Sequence, residues 1–210
     1  MRLSLLLVNW NGLDDTRACL NDIAAQRFRD FETILVDNAS SDGSAKAIAA
    51  EFPWVRLLAL SENTGFAFAN NRAAKEAVGD WLLVVNTDTR FDPELLGTLD
   101  RAIDAHPDYE LFSLLMLRQS DPSRIDCTGL RISFELSGRM LDAGRALAEL
   151  TPHGELFGPT GGAMLIKREA LTRLGQLFDP AFFFNNEDVD FALRARGAGI
   201  KTLFLPEARV

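Results

Sequence analysis

The chain has 210 residues, 47% of them apolar and 25% charged, and its 22 Lys plus Arg against 30 Asp plus Glu leave a net charge of −8. That length and apolar content can bury a full core, which excludes intrinsic disorder, and the acidic balance argues against a nucleic-acid backbone binder. Cys19 and Cys127 lie far apart, and neither has a histidine at zinc-ligand spacing, so free thiols in a reducing compartment and no structural metal are expected.

The start, MRLSLLLVNWNG, has an apolar stretch only from Leu3 to Val8 and then runs into Asn9 and Asn11 without a small-residue cleavage site. It reads as a first strand and not as a signal peptide. An alternation follows: a helix over 14–25, strand ETILVD (32–37), a helix over 43–51, strand VRLLAL (55–60), a helix over 66–78, strand WLLVV (81–85) and a helix over 93–105. Pro93 suits the first turn of that last helix, behind Asp92 as its cap. Strands that are apolar throughout, joined by crossover helices, predict a mostly parallel α/β sheet covered on both faces.

Beyond Pro107, LFSLLML (111–117) is a strong strand, whereas 118–158 is rich in Gly, Ser and Arg and reads as hairpins or loops inserted over one sheet edge, with LRISFEL (130–136) a strand candidate. GAMLIKREAL (162–171) predicts a strand running into a helix. The run Phe182 to Phe184, a helix over 187–196 and strand KTLFLP (201–206) complete the pattern. Nothing approaches the roughly 18 uncharged apolar residues needed to span a bilayer.

Ligands of open parallel sheets bind beyond the carboxyl ends of the strands. Four successive strand ends here are polar: Asn9-Trp10-Asn11-Gly12, Asp37-Asn38-Ala39-Ser40-Ser41-Asp42-Gly43, Glu62-Asn63-Thr64-Gly65 and Asn86-Thr87-Asp88. Each loop alone is also ordinary turn and cap chemistry. Neither GxGxxG after the first strand nor GxxxxGK[ST] is present, so a nucleotide would be held by side chains, chiefly the acid Asp37. Asp88, at the mouth of a buried strand, suits a hard divalent cation shared with substrate phosphates.

In FFFNNEDVDFALRARGAG, helical spacing puts Asp188 on the face of Phe191, Ala192 and Ala195, while Asp190 can pair with Arg194. The phenylalanines would wall a site and raise the pKa of a nearby carboxylate toward a useful base; helix capping by Asn186, Glu187 and Asp188 is the alternative. Gly161-Gly162 permits close approach of a ligand or of another backbone. His106, His153, Trp54 and Trp81 read as surface, rim or core residues.

The set VNWNG, VDNASSDGS, ENTGFAFANN, VVNTDT, PTGGAMLIKREAL and FFFNNEDVDFALRARGAG resembles glycosyltransferase family 2, in particular its bacterial rhamnosyltransferases, over nearly the whole chain. The resemblance implies a GT-A fold, with a Rossmann-like, mostly parallel central sheet flanked by helices. It implies a single catalytic domain over 1–210, with a nucleotide-sugar-binding half (1–106) and an acceptor-binding half (107–210). It further implies a nucleotide-sugar donor, a divalent metal (Mg or Mn) and inversion by direct displacement. Asn9, Trp10 and Asn11 would line the base pocket, Asp37 would hold base or ribose, and Asn63, Gly65, Phe66 and Asn70 would close the nucleotide site. Asn86-Thr87-Asp88 matches the family's Asp-x-Asp position with Asn as its first member, leaving Asp88 as the metal ligand beside Asn86. Asp188 matches the general base, with Glu187, Gly161 and Gly162 on the acceptor. Relatives continue past KTLFLPEARV into a segment whose His completes the metal site, so the acceptor half is expected to be truncated at its C-terminus.

The expected activity is transfer of a sugar, L-rhamnose from dTDP-rhamnose, onto a bacterial cell-envelope glycan or lipid-linked acceptor. It would take place in the cytoplasm at the inner face of the membrane, with peripheral membrane association and without nucleic acid. The alternatives are another hexosyl donor (a UDP- or GDP-sugar) on the same fold, or a degenerate nucleotide-sugar-binding module without turnover.

Overall fold

A computed structural model describes residues 1–133 and 138–210; the 134–136 portion of the strand expected over 130–136 lies outside the described residues. The first half alternates as expected, each boundary within two residues: β1 (Leu3–Asn9), α1 (Leu13–Ala24), β2 (Phe31–Asp37), α2 (Ser44–Glu51), β3 (Arg56–Ala59), α3 (Gly65–Glu76), β4 (Trp81–Val85) and α4 (Leu95–Ala105). Pro93 falls just before α4, where Asp92 Oδ1 accepts the Glu94 N–H at 2.8 Å and so caps the approach to the helix.

The second half contains β5 (Leu111–Arg118), β6 (Asp121–Cys127), β7 (Leu130–Ile132), β8 (Gly138–Met140), β9 (Glu155–Leu156), β10 (Ala163–Lys167), α5 (Leu171–Leu174), α6 (Glu187–Gly197) and β11 (Thr202–Arg209). The inserted region is therefore largely hairpins: β6 folds back on β5, and β7 pairs with β8. The helix expected after β10 is a short 3-10 turn followed by the four residues of α5.

The main sheet runs β3-β2-β1-β4-β10-β5-β11-β9, with β6 hydrogen-bonded to β5. β3, β2, β1 and β4 are mutually parallel, and β10 is antiparallel to both β4 and β5. Register places Asn9 beside Asp37, so the polar ends of β1 and β2 meet at one edge.

Alternation along β1 explains why both sheet faces are covered. Leu3, Leu5 and Leu7 enter a core completed by Leu20 and Ile23 of α1 and by Leu95, Leu96 and Leu99 of α4, whereas Leu6 enters the opposite core with Ala69 and Ala73 of α3 and Phe191 and Ala195 of α6. Each fully buried Leu contributes roughly 1.5–3 kcal/mol. Cys19 and Cys127 are free and buried, and burial pushes their thiols up to about 12 and about 11, which keeps them unreactive. Among the described residues no helix is long and apolar enough to cross a membrane.

Candidate active site

Above the carboxyl ends of the strands, two loops are stitched together by side chains. Asn9 Nδ2 donates to Asp37 Oδ1 at 2.8 Å and to Ser40 Oγ at 3.1 Å, while Asn9 Oδ1 accepts from the Thr16 hydroxyl at 2.9 Å. The Ser40 N–H donates to Asp37 Oδ2 at 3.0 Å. Asn9 is 0% and Asp37 2% exposed. Asn9 is thus fully buried and presents no surface for lining a base pocket: it is the brace that holds Asp37, whose other oxygen is taken by the Ser40 N–H. Left-handed backbone at Asn11 (φ 54°) and Ala39 (φ 61°) turns the two loops toward each other. Asn11 Oδ1 accepts the Ser41 N–H at 2.7 Å, and Trp10 is left exposed between the loops.

Asn38, which the sequence marks only by its place after Asp37, is the next link. Its Nδ2 donates to Asn63 Oδ1 at 2.9 Å and its Oδ1 accepts the Thr64 N–H at 2.9 Å, which fixes the entry to α3. Gly65 there adopts φ 81°, and a Cβ on it would lie 2.5 Å from the Phe183 carbonyl oxygen. That carbonyl accepts the Phe66 N–H at 2.8 Å. Asn70 is buried and donates to the Phe66 carbonyl at 3.0 Å, one helical turn back, so it serves α3 and presents no surface to a ligand.

The segment before α6 is anchored to the same helix. Asn71 of α3 bonds both the carbonyl and the N–H of Phe178, at 2.6 and 3.0 Å. The rings of Phe66, Phe178 and Phe191 follow one another at 5.8 and 5.9 Å between centroids. Consecutive left-handed residues Asn185 and Asn186 then aim the start of α6 at the ends of β4 and β10. Asp188 Oδ2 accepts the Gly161 N–H at 3.2 Å and the Thr160 hydroxyl at 3.3 Å. Asn86 donates its N–H to the Gly162 carbonyl at 3.1 Å. Asp190 pairs with Arg194 at 2.7 Å.

These contacts enclose a cavity of about 440 Å³ whose wall includes Phe66, Asn86, Asp88, Gly161, Gly162, Glu187 and Asp188. Asn9 and Asp37 at the ends of β1 and β2, Trp10, Asn11 and Asn63 in the loops that follow strands, and Gly65 and Asn70 in α3 all stand outside that wall. Met116, Met140 and Asp126, which carried no sequence signal, also line it. Phe184, which lines it, and Phe183 are both exposed, so they do not desolvate an acid in the way the aromatic run suggests. The acid that burial does affect is Glu187, 7% exposed and with Oε2 lacking any partner among the described residues. Burial pushes its carboxyl above the ordinary glutamate value, and the neighbouring Asp188 charge adds to the rise.

Asp88 is exposed, and no hydrogen bond or ion pair engages its carboxylate among the described residues. Together with the Asn86 carboxamide it offers hard oxygen donors. Among the described residues no group of three His, Cys, Asp or Glu gathers at metal-binding distance. The donor set therefore fits a Mg or Mn ion held by one or two protein oxygens and otherwise by a ligand's phosphates and water. The histidines stay outside the site: His153, in a loop of the inserted region and part-exposed as expected, bonds Asp142 at 2.6 Å.

A family profile described as Glycosyl transferase family 2 matches residues 4–175. An N-acetylglucosaminyl-diphospho-decaprenol L-rhamnosyltransferase of Mycobacterium tuberculosis is 28% identical over 210 aligned residues, covering 87% of this chain and 66% of that protein. Among solved structures, S. aureus TarS 1-349 in complex with UDP superposes with a TM-score of 0.72 at 20% identity, covering 100% of this chain and 61% of that one. The mannosyltransferase PcManGT from Pyrobaculum calidifontis, in complex with GDP-Man and Mn2+, also gives 0.72 at 20% identity, covering 99% and 55%. The fold is that of GT-A enzymes, and this chain spans less than two thirds of each of these relatives.

Proposed function

We propose, from the premise that this chain belongs to glycosyl transferase family 2, that it moves a sugar from a nucleotide-sugar donor onto an acceptor hydroxyl with inversion at the anomeric carbon. The observation that carries this reading is the single cavity that joins Asp88, Glu187 and Asp188. Trp10 and Asn11 offer the exposed surface on which a base can lie, braced by Asp37 and Asn38 below. The diphosphate then reaches Asn86 and Asp88 at the end of β4.

Asp188 is the general base. The Gly161 N–H and the Thr160 hydroxyl hold its Oδ2 in place, so the carboxylate receives the acceptor proton as the acceptor oxygen attacks from the face opposite the nucleotide. Glu187, buried beside it with a free oxygen, holds the acceptor through a second hydroxyl. A divalent cation at Asp88 and Asn86 supplies, when bound, charge neutralisation of the departing diphosphate. The leaving group then needs no general acid.

The name of the M. tuberculosis relative favours L-rhamnose as the transferred group and a lipid-linked diphospho-sugar as acceptor; dTDP-rhamnose as donor, a cell-envelope glycan as the other acceptor and a peripheral place at the inner membrane face belong to the same reading. A UDP- or GDP-sugar is the second reading, favoured by the TarS complex with UDP and the mannosyltransferase complex with GDP-Man. The test is calorimetric titration of dTDP, UDP and GDP with Mn²⁺, Mg²⁺ or EDTA on this chain and on Asp88→Ala. Metal-dependent binding of one nucleotide that is lost in Asp88→Ala is expected. Binding unaffected by both EDTA and the substitution would remove the metal from the reading, and no binding of any nucleotide would overturn the donor site.

A further inference from the structure

Strand β6 contributes a carboxylate to the cavity that none of the roles above uses. Ile125 and Cys127 are fully buried, and strand alternation turns the residue between them, Asp126, to the other side. There it joins Asp88, Glu187 and Asp188 in the cavity wall. Its backbone is held from both flanks. Cys127 and Ile125 register with Met116 and Leu117 of β5. On the other flank Ile125 exchanges hydrogen bonds with the segment 144–145, donating to the Arg145 carbonyl and accepting from the Gly144 N–H, both at 2.9 Å. Thr128, two residues on, is clamped by Ser113 through its carbonyl and by Asp142 through its hydroxyl, each at 2.8 Å.

A half-buried carboxylate on so fixed a strand is normally satisfied by a donor. Among the described residues, no hydrogen bond or ion pair engages the Asp126 carboxylate. The same cavity contains a second polar group in want of a partner, the buried Glu187 Oε2. The position of Asp126 separates its role from that of Glu187. Asp88, Met116 and Asp126 also line an adjoining cavity of about 820 Å³, whereas Glu187 and Asp188 do not. Asp126 thus stands on the Asp88 side of the reaction centre, where the donor's diphosphate and sugar lie, and not on the side of the acceptor and base.

We propose that Asp126 recognises the donor sugar, its carboxylate accepting hydrogen bonds from hydroxyls of the transferred residue. This rests on the nucleotide-sugar reading of the site. A carboxylate suits a hydroxyl-bearing ring because its two oxygens can accept from neighbouring hydroxyls at once.

The experiment compares each bare nucleoside diphosphate (dTDP, UDP, GDP) with its sugar conjugate (dTDP-rhamnose, UDP-GlcNAc, GDP-mannose), with Mn²⁺ present, on the wild type, Asp126→Asn and Asp126→Glu. For the pair that the wild type binds, Asp126→Asn is expected to leave the bare nucleotide within about twofold and to weaken the sugar conjugate by about tenfold to a hundredfold. Equal losses for both ligands would mean that Asp126 serves the nucleotide, the metal or the fold, and would overturn the proposal; so would no loss for either. If Asp126→Asn melts early, Asp126→Glu decides by the same split, because it keeps the charge and misplaces it. Failure of the wild type to bind any of the six ligands would be a failure of the donor reading itself, recognisable before any variant is compared, and would take this proposal with it.

Discussion

Asp188→Asn separates chemistry from architecture because the two consequences differ in size. The wild-type carboxylate uses Oδ2 for the Gly161 N–H at 3.2 Å and the Thr160 hydroxyl at 3.3 Å, and Oδ1 for the Val189 N–H at 2.8 Å. A carboxamide retains one acceptor oxygen, so one of these two sides must face an NH₂ in place of an acceptor. At about 0.5–1.5 kcal/mol per hydrogen bond, the fold loses roughly 1–2 kcal/mol, which lowers Tm by about 2–8 °C at this length. Loss of the proton acceptor removes about 10²–10⁴ in rate, or roughly 3–5 kcal/mol of transition-state stabilisation. The assays are sugar transfer or donor hydrolysis under saturating donor, nucleotide titration, and a thermal melt on the same preparation. Turnover lower by at least about a hundredfold, with nucleotide affinity within a fewfold of wild type, is the expected result. Turnover within tenfold of wild type would refute the assignment of Asp188 as base. A parallel collapse of nucleotide binding would show that the residue holds the site together and does not act on a proton.

Two further substitutions probe how the cavity is built. Gly65→Ala must place a Cβ in left-handed backbone and 2.5 Å from the Phe183 carbonyl oxygen; it should cost at least about 1–2 kcal/mol, seen as a Tm lower by several degrees together with weakened turnover, and an unchanged melt would contradict the close packing of α3 on the Phe183 segment. Glu187→Gln should change stability in a pH-dependent way. The folded carboxyl is raised by burial and by Asp188, so the wild type has its full contribution from this group below the ordinary glutamate pKa and loses it as pH rises through the raised value. The variant should therefore match the wild type in mild acid and exceed it toward neutral pH in denaturant titrations, and a difference independent of pH would contradict the burial of an ionisable group there.

The elements that were legible in the sequence are those whose environment leaves a residue pattern. β1, β2 and β4 are sandwiched between helices, so their apolar runs are continuous and their limits are plain. β6 runs DPSRIDC: its first four residues are exposed and it is held by backbone pairing to β5, a contact that imposes no apolar period. β9 is two residues long and pairs only with β11, too short for any period to register. The inserted region is organised around Asp142, which bonds Thr128, Arg145 and His153. Burial alone would raise that carboxyl, but hydrogen bonds led by His153 outweigh it and hold it below the ordinary aspartate value. Beyond the nearby Arg145, such a hub joins residues 11 and 14 positions away, and that follows no spacing rule.

The same distinction runs through the site. Asp88 and Asp188 stood out because each closes or opens an element whose limits are visible, and both project into the cavity. Asn9 and Asp37 stood out for the same reason, yet they face one another across the register of β1 and β2. A polar strand end can point to a ligand or to the next loop, and the choice depends on the turn that follows. Here left-handed Asn11 and Ala39 fold the loops inward, and Asn38 carries the network on to Asn63 and Thr64. The polar residues at the strand ends thus divide into a buried frame and an exposed set. The frame holds the loops that carry Trp10 and Asn11, so substitutions such as Asn9→Ala or Asn38→Ala should weaken nucleotide binding together with thermal stability, whereas Asp88→Ala should weaken binding alone.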